Sequence, residues 1–124
     1  MEIQYKNSKV KAQCTNTKDA QLLFGGDKQL VKSLMSRIFA LQGAETLKDI
    51  VVLKQIFRFH ALKNKDGRDL EGYFAIDVKT KKEPWRIVIL PLKENGEKYI
   101  PCNIDEIAND VVRIEIVEVS KHYE

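Results

Sequence analysis

Histidine and cysteine are scarce in this chain, two of each among 124 residues. Cys14 and Cys102 stand far apart, fit no metal-ligand spacing and follow no secretory signal. That pattern disfavours a zinc site and a disulfide framework, and two idle or buried thiols are expected instead. The opening residues, Met1-Glu2-Ile3-Gln4-Tyr5-Lys6, hold no apolar signal core, and no uninterrupted apolar run approaches membrane-spanning length. No membrane association is expected, and a cytoplasmic location is. Internal repeats, low-complexity tracts and linker-like stretches are missing as well, so a single domain over residues 1–124 is expected. Charge of one sign is not in great excess: 21 basic and 18 acidic residues leave a formal +3, which alone implies little.

What is present is more informative. Hydrophobic residues make up 44% of the chain, enough for a packed core without staples. The charges are unevenly placed. Lys54 to Arg68 holds Lys54, Arg58, Lys63, Lys65 and Arg68 against Asp66, whereas Asn103 to Asp110 collects Asp105, Glu106 and Asp110. A local positive field suits an anionic partner; the bland counterpart is a solvated loop with spare lysines.

Helical signals dominate the first half. Thr17 is a candidate N-cap with Asp19 in the first turn, and Gly25-Gly26 stops that helix. Asp27 is a second N-cap candidate. Behind it Leu30, Val31, Leu34, Met35, Ile38 and Leu41 recur at three- and four-residue steps, an amphipathic helix of about four turns ending near Gly43. Ile3 to Lys6 suits a short edge strand, and Thr46 to Leu53 suits either a short helix or an extended connector. The second half changes to period two. Phe57 and Phe59 alternate with Arg58 and His60; Phe74, Ile76 and Val78 with Ala75 and Asp77; Trp85, Ile87 and Ile89 with Arg86 and Val88; Val112, Ile114 and Ile116 with Arg113 and Glu115. Helices first and strands afterwards is the α+β pattern, with N-terminal helices packed on one face of a twisted antiparallel β-sheet. The alternation sends His60 and Arg86 to the face that the helices leave uncovered.

His60 lies in Phe57-Arg58-Phe59-His60-Ala61-Leu62-Lys63, and His122 in Ser120-Lys121-His122-Tyr123-Glu124. Histidine exchanges a proton near neutral pH, and the basic neighbours suit a phosphodiester. The plainer possibilities are a surface histidine at position 60, a frayed terminus at 122, and an Arg86 that only stacks on a ring.

Four strings taken in order, Arg58-Phe59-His60-Ala61-Leu62-Lys63, Gly72-Tyr73-Phe74-Ala75-Ile76, Trp85-Arg86-Ile87 and the close on His122-Tyr123, resemble the HigB branch of the RelE/ParE toxins. The resemblance runs from about Thr17 to the C-terminus. It implies a RelE-like fold and the toxin of a type II toxin–antitoxin pair. It also implies a ribosome-dependent mRNA endonuclease in which a 2′-OH attacks the adjacent phosphate without metal or cofactor. The catalytic roles would fall on His60, Lys63, Arg86 and His122, with Arg58, Lys65, Arg68, Lys121 and Tyr123 binding substrate. The implied partners are a helix-turn-helix antitoxin of the HigA type, mRNA and the ribosome. The chain departs from the pattern where the family often carries an acidic residue and a tyrosine: Ser120 and Lys121 stand there, and the tyrosine follows as Tyr123. Either the register slips by a residue or two or Lys121 takes part of the work. Two other readings share the fold, a ParE-like gyrase inhibitor and an RNA-binding module without catalysis.

Overall fold

The computed structural model describes residues 1–64 and 67–123. The chain begins with strand β1 (Glu2–Tyr5), followed by α1 (Ser8–Thr15), α2 (Thr17–Leu23) and the long α3 (Lys28–Gly43). Two short helices, α4 (Lys48–Val51) and α5 (Lys54–Phe57), lead into β2 (His60–Ala61), β3 (Phe74–Asp77) and β4 (Arg86–Leu92). A last short helix α6 (Ile104–Ile107) precedes β5 (Arg113–Ser120).

Short polar side chains set the starts of α1, α2, α3 and α6 by accepting backbone N–H groups that a first turn leaves unpaired. Asn7 Oδ1 accepts from Val10 N at 2.9 Å, and Asp27 Oδ1 from Gln29 N and Leu30 N at 3.0 and 3.2 Å. The cap of α2 is Asn16 rather than Thr17: its Oδ1 accepts from Lys18 N at 2.9 Å, while its own N–H closes α1 on Ala12 O. Helix α1 was not expected at all. Only Val10 and Cys14 are buried along it, so it shows no stripe, and its two asparagine caps define it instead.

The sheet order is β1-β5-β4-β3-β2. Neighbours pair antiparallel except at one edge, where β1 runs parallel to β5 with Ile3 opposite Ile114. The expected purely antiparallel sheet is therefore mixed. Leu30, Val31, Leu34, Ile38 and Leu41 of α3 pack with Ile76, Ile87, Ile89, Ile114 and Ile116 in one core. Each such side chain contributes roughly 1.5–3 kcal/mol by leaving water.

A second correction concerns residues 57–60, expected as a strand. Phe57 closes α5, Arg58 takes a left-handed conformation (φ 49°, ψ 49°), and only His60–Ala61 pairs with β3. The opposite sheet face is also not fully uncovered. Leu70, Val88 and Tyr123 form a small second cluster there with Leu62, Tyr73 and Val117. Strand β4, sealed on both sides, is buried along its whole length, as its continuous apolar run suits. Among the described residues no helix is long and apolar enough to cross a membrane.

Candidate functional site

Register places the polar groups of the second face together. Across antiparallel strands His60 sits opposite Ala75, Asp77 opposite Arg86, Arg86 opposite Ser120 and Val88 opposite Glu118. Opposed residues share a face, so His60, Asp77, Arg86 and Glu118 all lie on the side away from α3, as the alternation indicated for His60 and Arg86. Between this face and the segment after β2 is a cleft of about 430 Å³, lined by Arg58, His60, Lys63, Asn64, Lys81, Arg86 and Tyr123 among others. Four of those side chains are basic, and the Asp77 carboxylate pairs with two of them.

Asp77 is 3% exposed and receives two guanidinium groups. Arg58 Nε and Nη2 approach it at 2.8–3.1 Å, and Arg86 Nε lies 3.2 Å from Oδ1. Arg86, expected to grip phosphate, is itself 2% exposed. Besides this ion contact with Asp77 it donates to the carbonyls of Trp85 at 2.9 Å, Lys81 at 3.1 Å and Glu83. Its planar fork thus ties the β3–β4 turn to the floor of the cleft. Asp77 is the member shared by both pairs, and removing either partner of the buried Asp77–Arg86 pair is strongly destabilising.

Arg58 is the one non-glycine residue with positive φ among those described. That conformation costs an L-residue about 1–2 kcal/mol. It is offset here by an N–H bond to Lys54 O that caps α5 and by the Asp77 pair. The bend turns the Arg58 carbonyl onto His60, whose Nδ1 lies 2.6 Å from it. A carbonyl oxygen only accepts, so Nδ1 carries the hydrogen, and in the neutral ring Nε2 is left to take a proton.

Tyr123 is buried against the cleft and donates its hydroxyl to Glu118 Oε2 at 2.8 Å, with the Arg68 guanidinium 5.0 Å above its ring. Burial, then the Glu118 bond, hold its pKa above the ordinary tyrosine value, with Arg68 opposing. Arg68 therefore braces the rim, and Lys63 lines the cleft with its side chain exposed. Lys65 lies outside the described residues.

The second histidine does not join the first. His122 and Lys121 line a separate groove of about 340 Å³ with Lys6, Lys9 and Trp85. Beyond Ser120 the end of the chain divides: Tyr123 lines the His60 cleft, whereas Lys121 and His122 line the groove beside α1. There the Lys121 ammonium lies 5.8 Å from the Trp85 ring centre. The expected convergence of both imidazoles with Arg86 on one ligand is not seen in the cleft's lining, where His60 is the one histidine among the described residues.

Asp77, Lys81, Asn64 and Glu118 were missed as site residues. The same alternation carried through Phe74, Ile76 and Val78 puts Asp77 on the histidine face, and opposing it to Arg86 would have exposed the pair. Lys81 follows from the basic turn Lys79-Thr80-Lys81-Lys82 lying at the Arg86 end of the strands. Among the described residues no three His, Cys, Asp or Glu side chains group as metal ligands. No family model, curated protein or solved structure matches the chain.

Proposed function

We propose that the cleft cleaves RNA and that the chain is the toxin of a toxin–antitoxin pair, acting on mRNA held by the ribosome. One observation carries the reading: a lone imidazole, oriented through Nδ1 by the Arg58 carbonyl, stands in a cleft walled by cations on a partly uncovered sheet face. In this reaction His60 Nε2 removes the proton of a ribose 2′-OH, and the oxygen attacks the adjacent phosphorus. The P–O5′ bond breaks, leaving a 2′,3′-cyclic phosphate and a 5′-oxygen that takes a proton from the Lys63 or Lys81 ammonium or from water. Both lysines line the same cleft, where a cation stabilises the charge that develops on phosphorus. DNA lacks the nucleophile and is not a substrate. Recognition of the cleft by a helix-turn-helix antitoxin and delivery of substrate by the ribosome belong to the same proposal.

The test is mapping of 5′ ends on ribosome-loaded mRNA with the purified protein. Wild type should yield new 5′-hydroxyl ends, and His60→Gln should cut about 10²–10⁴-fold more slowly. Intact mRNA with wild type, or equal cutting by His60→Gln, overturns the assignment. The separation of His122 favours one other reading, an RNA-binding module without catalysis. It predicts salt-sensitive RNA binding that His60→Gln leaves unchanged and no new ends.

A further inference from the structure

We propose that Asp77 is a positioning residue for His60, acting through Arg58: its carboxylate fixes the left-handed bend whose carbonyl selects the imidazole tautomer. The catalytic consequence rests on the RNA-cleaving reading of the cleft, whereas the tautomer claim stands on geometry alone.

Neutralising Arg86 does not require Arg58, because Arg86 already pairs with Asp77 across the β3–β4 register. Yet Arg58 brings Nε and Nη2 to the same carboxylate, from a backbone conformation that side-chain-bearing residues rarely adopt. A bidentate guanidinium–carboxylate pair fixes direction as well as distance. The bend is anchored from the other sheet face too. Arg37 of α3 donates Nε to the Asp77 carbonyl at 3.1 Å and Nη2 to the carbonyls of Ile56 and Lys79 at 3.1 and 3.2 Å. Its guanidinium also lies 5.2 Å from the Phe57 ring centre. Arg37 therefore holds the chain just before the bend, and Asp77 holds the bend residue itself. With both in place the Arg58 carbonyl has one direction, toward His60 Nδ1. Loosening the side-chain anchor frees the carbonyl to turn to water. The neutral ring can then move its hydrogen to Nε2, the tautomer free imidazole favours in water, and that tautomer has no lone pair at the nitrogen assigned as base.

Nitrogen-15 NMR of the imidazole reads this directly. In wild type at a pH where the ring is neutral, Nδ1 of His60 should be pyrrole-like and Nε2 pyridine-like; the reverse overturns the proposal. In Asp77→Asn, with the backbone amide spectrum still folded, the two signals should shift toward a mixture or the opposite tautomer. An unchanged tautomer there also overturns it. Should Asp77→Asn fail to fold, Arg58→Gln gives the same measurement, since Arg86 still pairs with Asp77. A retained Nδ1–H tautomer in that variant counts equally against the idea. RNA cleavage by the same variant should fall about 10–100-fold, on the scale of the loss that outer partners of metal-bound histidines cause, in kcat rather than KM. Cleavage without a tautomer shift refutes the positioning role and leaves the nuclease intact. A tautomer shift in a protein that cuts no RNA refutes the nuclease and leaves the positioning role.

Discussion

The two faces of the sheet manage their interiors in opposite ways. On the α3 face, Leu34, Ile76, Ile87, Ile114 and Ile116 close together with no charge among them. On the other face Asp77 and Arg86 are about as deeply buried, yet they stay because each charge meets another. The first face can yield gradually, one cavity at a time. The second is less forgiving, because removing Asp77 or Arg86 breaks a buried ion pair.

That contrast is broken most severely at Arg86. Arg86→Ala leaves the Asp77 carboxylate with only the half-exposed Arg58 and unties the carbonyls of Lys81, Glu83 and Trp85. A loss of about 3–5 kcal/mol is expected. Leu34→Ala, fully buried on the opposite face, should cost about 2–5 kcal/mol through lost burial and the cavity left behind. Urea titration measures both. An Arg86→Ala protein within 1 kcal/mol of wild type would mean that water, not Asp77, compensates Arg86, an outcome judged against the expected range.

A smaller effect sharpens the comparison at the cleft. Lys63 and Lys81 both line it with exposed side chains, so Lys63→Gln with Lys81→Gln should leave folding unchanged. If both neutralise phosphates of single-stranded RNA, the slope of log affinity against log salt should become shallower by about 1.4. The corresponding pair in the second groove, Lys6→Gln with Lys9→Gln, should leave that slope alone if the RNA occupies only the His60 cleft. Equal slopes for both double variants would place RNA in both grooves.

The α3 face was legible in the sequence, and the other face only in outline. The spacing of Leu30, Leu34, Ile38 and Leu41, and the alternation of Ile76, Ile87 and Ile89, reflect burial that repeats with the element's own period. His60 and Arg86 were assigned the correct face by the same logic. What periodicity could not carry is backbone chirality at one residue. Phe57 and Phe59 mimic strand alternation because the left-handed Arg58 between them returns both rings to the core side. Phe59 stacks on Phe74 with centroids 4.9 Å apart. The parallel β1–β5 pairing was not legible either, since a four-residue strand says nothing of its partner's direction. Nor was it legible that two neighbours past β5 part, Tyr123 lining the His60 cleft and His122 the other groove.

The smallest expected effect separates the faces by pH. Where the cleft face buries charged side chains in ion pairs, the main core buries a thiol. Cys14 of α1 is buried in the main core at 1% exposure, and burial pushes its thiol from 9.0 up to about 12. Burial raises the nearby Tyr5 hydroxyl too, and a Cys14 thiolate would raise it further. The sign follows from which state holds the proton. Above pH 9 the unfolded chain releases the thiol proton while the folded chain keeps it, so the stability is complete below 9 and drains away as pH rises toward 12. The loss by pH 10 should be on the order of 1 kcal/mol. Urea midpoints of wild type at pH 8 and pH 10 should differ accordingly. Cys14→Ala should start lower, from its lost packing, and show a smaller drop between the two pH values. A variant whose midpoint falls as steeply as wild type would transfer the alkaline loss from Cys14 to another group, with Tyr5 the first to test by Tyr5→Phe.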